Sequence, residues 1–236
     1  GERLGPGDRY AVVTALPSAR PRDLLRIDRY DPAAAPPGAT ALRAGYWDPA
    51  VATPLWGAGE PAPPDTALGP YAEVRELARR VAGDAASPYA AVNRIESHLR
   101  RGYAYDERPP PPPVGGGPYG WSPRRPPLVD FLTRTRRGFC QHFAGAMAVM
   151  LRSLGIPARV AVGYTGGRFD PDEEAWVVLD RDAHSWVEVW FPGHGWLPFD
   201  PTPGRSAPNA ASVSSPDYAP RRFEIDLSGL TSVSLS

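Results

Sequence analysis

The chain of 236 residues holds a single cysteine, Cys140, in the stretch RGFCQHFAGAM. A thiol is a nucleophile only as thiolate. It needs a base to take its proton and later protonate the leaving group, and the base needs a third group to fix its tautomer. Cys140 is expected in the first turn of a helix from about 139 to 154, where unpaired amide donors and the positive end of the dipole favour a thiolate. Gly138, just before, removes side-chain bulk beside the sulfur. The same stretch has a plainer reading, because Cys140, Phe143, Met147, Met150 or Leu151, and Leu154 fall on one helical stripe, as a buried and inert cysteine would.

The partners a thiolate needs lie downstream. His184 and Asp200 are eight residues before and eight after Pro192. In a hairpin centred there they oppose each other on neighbouring strands, with their side chains on one face. Trp186, Glu188 and Trp190 share that face, while Val187, Val189, Leu197 and Phe199 take the other. The remaining histidines compete poorly: His142 is two residues from Cys140 on a helix and points away, His194 is in the turn, and His98 sits on a helix flank among arginines as a solvated or packing residue. One thiol and four scattered histidines show no metal-ligand spacing, and VGGGPYG lacks the lysine and strand-to-helix context of a phosphate loop. No cofactor is expected.

These residues must be positioned by a helix followed by an antiparallel meander. Gly155 and Pro157 stop the nucleophile helix. The period then changes from 3.6 to 2, and ARVAVGY, EAWVVLD, HSWVEVWF and GWLPFDP predict four short strands. Upstream, YAEVRELARRVAG reads as a helix with Val74, Leu77, Ala78 and Val81 on one face. In SPYAAVNRIESHLRRGY, Ser87 caps a second helix, Pro88 starts it, and Val92, Ile95 and Leu99 form its stripe. DRYAVVTAL from Asp8 is a strand candidate, PRDLLRIDRY a short helix, and RRFEIDL a late strand. Residues 109 to 127, rich in Pro and Gly, can be neither helix nor central strand and are expected as a long loop, with Tyr119 and Trp121 as possible substrate contacts near the cleft.

This organisation divides the chain into an N-terminal strand and Pro/Ala/Gly-rich arm packing on the core (1–69), a core (70–203), and a partly irregular C-terminal extension (204–236). Acidic and basic residues balance at 26 each, so no overall field draws nucleic acid, an anionic membrane or an acidic substrate, and no nucleic-acid partner is expected. All the basic residues are arginine and Gln141 is the only glutamine, a bias that a GC-rich coding sequence explains. No apolar run approaches the roughly 18 residues of a membrane span, no signal peptide opens the chain, and the sequence reads as a soluble piece with abrupt ends.

The blocks RRGFCQHFAGAMAVMLRSLGIPARVAVGY, DAHSWVEVWFPGHGWLPFDPTP and SPYAAVNRIESHLRRGYAY resemble the bacterial transglutaminase-like superfamily. They are similar in particular to the soluble domain its membrane proteins carry between transmembrane helices. The resemblance runs from about Tyr71 to Pro203. It implies a papain-like α+β fold, with Cys140 as nucleophile, His184 as base and Asp200 as the orienting carboxylate. It also implies flanking membrane helices and a location outside the cytoplasmic membrane. The chemistry implied is thiolate attack on a glutamine carboxamide of a protein or peptide substrate, then capture of the thioester by an amine or by water. The Cys140 N–H would face the oxyanion. Trp121 is a candidate second donor by analogy with the indole that eukaryotic members use, and Gln141 and Trp186 are weaker candidates. A cysteine protease or amidase with the same triad remains open, as does a non-catalytic interaction module.

Overall fold

The computed structural model describes residues 9–13, 19–42, 51–110, 126–172, 174–205 and 222–226. Strand β1 (Arg9–Val13) pairs antiparallel with the late strand β11 (Arg222–Asp226), so both terminal strand expectations are met, by each other. The arm between contains α1 (Pro21–Leu24), the two-residue strands β2 (Ala41–Leu42) and β3 (Val51–Ala52), and α2 (Asp65–Leu68), and is otherwise irregular where described. Leu24, Tyr30 and Leu42 from this arm are buried in the core, so the described arm wraps rather than dangles.

Helix α3 (Ala72–Ala82) buries Val74, Ala78 and Ala82, and stops at Gly83. Its Arg75 is buried as well, and holds the arm by donating to the Pro63 carbonyl and pairing with the Asp65 carboxylate. Helix α4 (Pro88–Gly102) begins as its sequence demands: the Ser87 hydroxyl accepts the Ala90 N–H at 3.2 Å, and Val92, Ile95 and Leu99 are fully buried. After β4 (Ala104–Tyr105), the chain reaches α5 (Pro127–Asp130), whose end loosens into a π-helical turn over Phe131–Thr135. The two-residue β5 (Arg137–Gly138) then pairs in parallel with β4 and delivers the backbone to α6 (Cys140–Ser153).

Helix α6 is the centre of the core. Phe143, Met147, Met150 and Leu151 have no exposed surface, and the helix packs on the sheet through Val187, Val189, Phe191 and Leu197, equally buried. That sheet has three strands in the order β10 (Gly195–Phe199), β9 (Ala183–Phe191), β6 (Ala158–Tyr164), all antiparallel. The expected four-strand meander is corrected here. EAWVVLD supplies only β8 (Ala175–Val177), which pairs with β7 (Arg168–Asp170) in a separate hairpin. The reason is local: RFD, between ARVAVGY and EAWVVLD, is itself a strand, and its Phe169 meets Trp176 across the hairpin at 5.8 Å between ring centroids. This aromatic pair stays exposed, so the segment's apolar content serves the hairpin and not the core.

The arm is tied to the end of α6 at Gly155, which sits at φ +78° and accepts the Trp56 N–H through its carbonyl at 3.0 Å. A β-carbon there would run into the Pro54 carbonyl and the backbone of residues 55 and 56. Gly155→Ala is therefore expected to cost about 2–4 kcal/mol, read as a lowered denaturant midpoint. A loss under 1 kcal/mol would mean the arm is not held against the helix.

Candidate active site

Cys140 is the first residue of α6 and is half-buried, at the mouth of the apolar stripe and not inside it. The approach to it is narrow. A β-carbon on Gly138 would lie 2.7 Å from the Cβ and Cγ of His142, so only glycine lets β5 pass this close to the helix start. His142 Nδ1 accepts the Phe139 N–H at 3.4 Å and its ring stands edge-on to Phe139 at 4.5 Å, while burial pulls its pKa down. It is thus a helix-capping residue. His98 packs edge-on to Tyr103, its pKa lowered by burial and by Arg136 and Arg101, and His194 is in the hairpin turn.

His184 and Asp200 are brought together. His184 Nε2 and Asp200 Oδ2 are 2.7 Å apart, with 4% and 2% of each residue exposed. The hairpin that does this is centred on Gly193 and not on Pro192: Phe191 pairs with Gly195, and Val187 with Phe199. Gly193, at φ +74°, takes the left-handed position in a three-residue turn. By this register Asp200, one residue past β10, falls opposite Trp186 and not His184. The pair therefore meets on the diagonal, a correction to the expected direct opposition. It survives because the shift is by two, and a shift of two keeps every side chain on its face.

The rest of the Asp200 environment comes from outside the hairpin. Its Oδ1 accepts the Thr202 N–H at 2.9 Å. Its backbone N–H donates to Glu96 Oε1 at 3.0 Å, and its carbonyl accepts from Arg100 Nη1 at 2.7 Å, both from α4. The same Arg100 nitrogen donates to the Arg205 carbonyl at 2.9 Å. Burial raises the Glu96 pKa, opposed by the Asp200 N–H and by Arg100 and reinforced by the Asp200 charge.

An open cleft of about 720 Å³ is lined by Phe139, which precedes Cys140, and by Ala183, which precedes His184. Tyr105, Glu107 and Arg205 form other parts of its wall, and so does the short helical turn Asp180–Asp182. Tyr105 pairs with Gly138 in the β4–β5 register, and its phenol pKa is pushed up by burial and then by electrostatic interaction with Cys140. Neither it nor Glu96 and Arg100 was singled out by the sequence. Of the weaker candidates, Gln141 is exposed on the first turn of α6, and Trp186 is half-buried against Gly163. Tyr119 and Trp121 lie outside the described residues. Among the described residues no group of His, Cys, Asp and Glu side chains is arranged to hold a metal ion.

A thiol at a helix start and a buried imidazole–carboxylate pair can be compared with known proteins. The family model described as "Transglutaminase-like superfamily" matches residues 75–201, more than half of the chain. The chain belongs to the transglutaminase-like superfamily. Its α+β architecture, a helix packed on an antiparallel sheet, is the one expected. It is similar to a protein-glutamine gamma-glutamyltransferase of Pseudomonas aeruginosa, 47% identical over 42% of this chain and 13% of that protein. It is also similar to the uncharacterized protein YebA of Bacillus subtilis, 45% identical over 37% of this chain and 12% of that protein. This superfamily member therefore matches only about an eighth of the length of these curated relatives. Among solved structures, the periplasmic domain of TgpA from Pseudomonas aeruginosa is 40% identical, covering 55% of this chain and 41% of that one with a TM-score of 0.46. No described helix is long and apolar enough to cross a membrane.

Proposed function

We propose that this domain is a cysteine acyltransferase acting on glutamine carboxamides of protein or peptide substrates, with Cys140, His184 and Asp200 as its triad. The observation that carries the reading is the buried 2.7 Å contact between His184 Nε2 and Asp200 Oδ2, together with a cleft lined by the residues that precede the thiol and the imidazole, Phe139 and Ala183. Asp200 accepts the Nε2–H, which leaves Nδ1 as the nitrogen with a free lone pair. Nδ1 takes the thiol proton, and the sulfur attacks the carboxamide carbon. The oxyanion meets the Cys140 backbone N–H, which, as the first of the helix, has no intrahelical acceptor. The Tyr105 phenol, on the same cleft, is the second donor among the described residues.

Collapse of the tetrahedral species breaks the C–N bond, Nδ1–H protonates the departing ammonia, and a thioester remains. An amine then attacks, Nδ1 takes its proton, and the thiolate leaves. The cleft wall carries three carboxylates, Glu107, Asp180 and Asp182, against two guanidiniums, Arg181 and Arg205. That balance supports an ammonium-bearing acceptor such as a lysine side chain. The Pseudomonas protein named for glutamyl transfer supports this chemistry, and the proposal extends to a site outside the cytoplasmic membrane, in a chain anchored by flanking helices.

Incubation with a glutamine peptide, with and without a primary amine, followed by mass spectrometry tests the proposal. An amine adduct with loss of ammonia is expected. Glutamate or a cleaved backbone as the only product would make the domain an amidase or protease, and absence of any acyl adduct on Cys140 would leave it a non-catalytic module.

A further inference from the structure

Helix α4 holds the third member of the triad from behind. Glu96 and Arg100 are four residues apart and so stand one above the other on a single face of the helix. Between them they take both polar groups of the Asp200 peptide backbone, Glu96 accepting its N–H and Arg100 donating to its carbonyl. Asp200 has no strand to hold it, because β10 ends at Phe199 and Pro201 follows. A backbone in that position could rotate about its own axis and swing the carboxylate off His184. We propose that Glu96 and Arg100 are positioning residues for this reaction, a two-point clamp that fixes the Asp200 carboxylate against His184 Nε2. The inference rests on the triad reading above.

Three features make the clamp more than incidental packing. A carboxylate is costly to half-bury, and the Asp200 charge adds repulsion, so placing Glu96 there disfavours its ionised form. A backbone N–H could be satisfied by any neutral acceptor at lower cost. Further, Arg100 reaches past Asp200 to the carbonyl of Arg205, which lines the cleft. One guanidinium nitrogen thus sets the triad carboxylate and the substrate wall together, giving one of its two hydrogens to each carbonyl. Finally, the polar groups meeting at this point come from separate elements: Glu96 and Arg100 from α4, His184 from β9, and Asp200 from the turn after β10.

The two partners should fail differently, which is the test. Glu96 hydrogen-bonds Asp200 and is not part of the described cleft wall, so Glu96→Ala is expected to lower kcat tenfold or more with KM within twofold. Glu96→Gln, which keeps an acceptor oxygen, should restore kcat to within about threefold of wild type. Arg100→Met frees both carbonyls and should change kcat and KM together. Because Cys140 is the only thiol, its alkylation rate by iodoacetamide gives a readout that needs no substrate, and Glu96→Ala should slow it severalfold. A folded Glu96→Ala protein with unchanged kcat and unchanged alkylation overturns the clamp, as does a KM effect without a kcat effect. If wild type turns over no glutamine substrate the acyl-transfer reading fails, while the alkylation rates still decide whether Glu96 acts on the thiol through Asp200 and His184.

Discussion

Cys140→Ala is expected to lower acyl transfer by a factor on the order of 10⁴–10⁶, while moving the melting temperature by only a few degrees. The two halves of this result separate the two readings of the stripe on which Cys140 lies. Phe143, Met147, Met150 and Leu151 are completely buried, and truncating any of them would remove about 2–5 kcal/mol. Cys140 is half-buried at the end of that stripe and contributes little to the core. An inert packing cysteine would give the opposite pattern, with lost stability and retained activity. Amine incorporation into a glutamine peptide, measured with thermal unfolding of the same preparation, checks both halves. Cys140→Ser adds a control of nearly equal size. Its hydroxyl has no comparable anion at neutral pH, so its activity should also collapse although its packing is kept.

Much of this site is written in local sequence. The start and stop of α6 follow from Gly138, Gly155 and Pro157, and the cap of α4 from Ser87, because each is decided within a few residues of chain. The pairing of His184 with Asp200 could be anticipated because a hairpin preserves parity: moving its centre from Pro192 to Gly193 changed the partner but not the face. What could not be read is what reaches the site from elsewhere in the chain. Glu96 and Arg100 sit within the charged run RIESHLRR, and their bonds to Asp200 span about a hundred residues. Their four-residue spacing, flanking the stripe of Val92, Ile95 and Leu99, was the only available sign, and on a helix such a pair is ordinarily a solvated one. Tyr105 was hidden for a different reason. It is placed by a two-residue parallel pairing with Gly138, too short to leave any periodicity. The β7–β8 hairpin shows the converse error, in which apolar residues imply a core strand although their partner is another exposed aromatic.

Asp200→Asn should reduce kcat about 10⁴-fold at almost no cost in stability, and the hydrogen-bond geometry gives the reason. Asp200 Oδ1 accepts the Thr202 N–H and Oδ2 accepts the His184 Nε2–H. An asparagine can keep only one acceptor. If its amide oxygen faced His184, its NH₂ would meet the Thr202 N–H donor to donor, and a buried bond would be lost with no escape through rotation of the imidazole. With the oxygen on Thr202 instead, the NH₂ donates to His184 Nε2, the imidazole moves its proton to Nδ1, and every group is satisfied. The second arrangement preserves the fold and disables the base, because the nitrogen that should take the thiol proton now carries one. Asp200→Ala differs: it strands both the Thr202 N–H and an imidazole N–H in a buried site, and should cost about 2–4 kcal/mol as well as activity. The pair of variants is read by kcat in the amine-incorporation assay, by denaturant unfolding, and by nitrogen NMR of the His184 ring, where the Nε2–H signal should disappear in Asp200→Asn. An Asp200→Asn protein that keeps kcat within tenfold of wild type would show that the base does not depend on this carboxylate for its tautomer, and the assignment of the triad would fall with it.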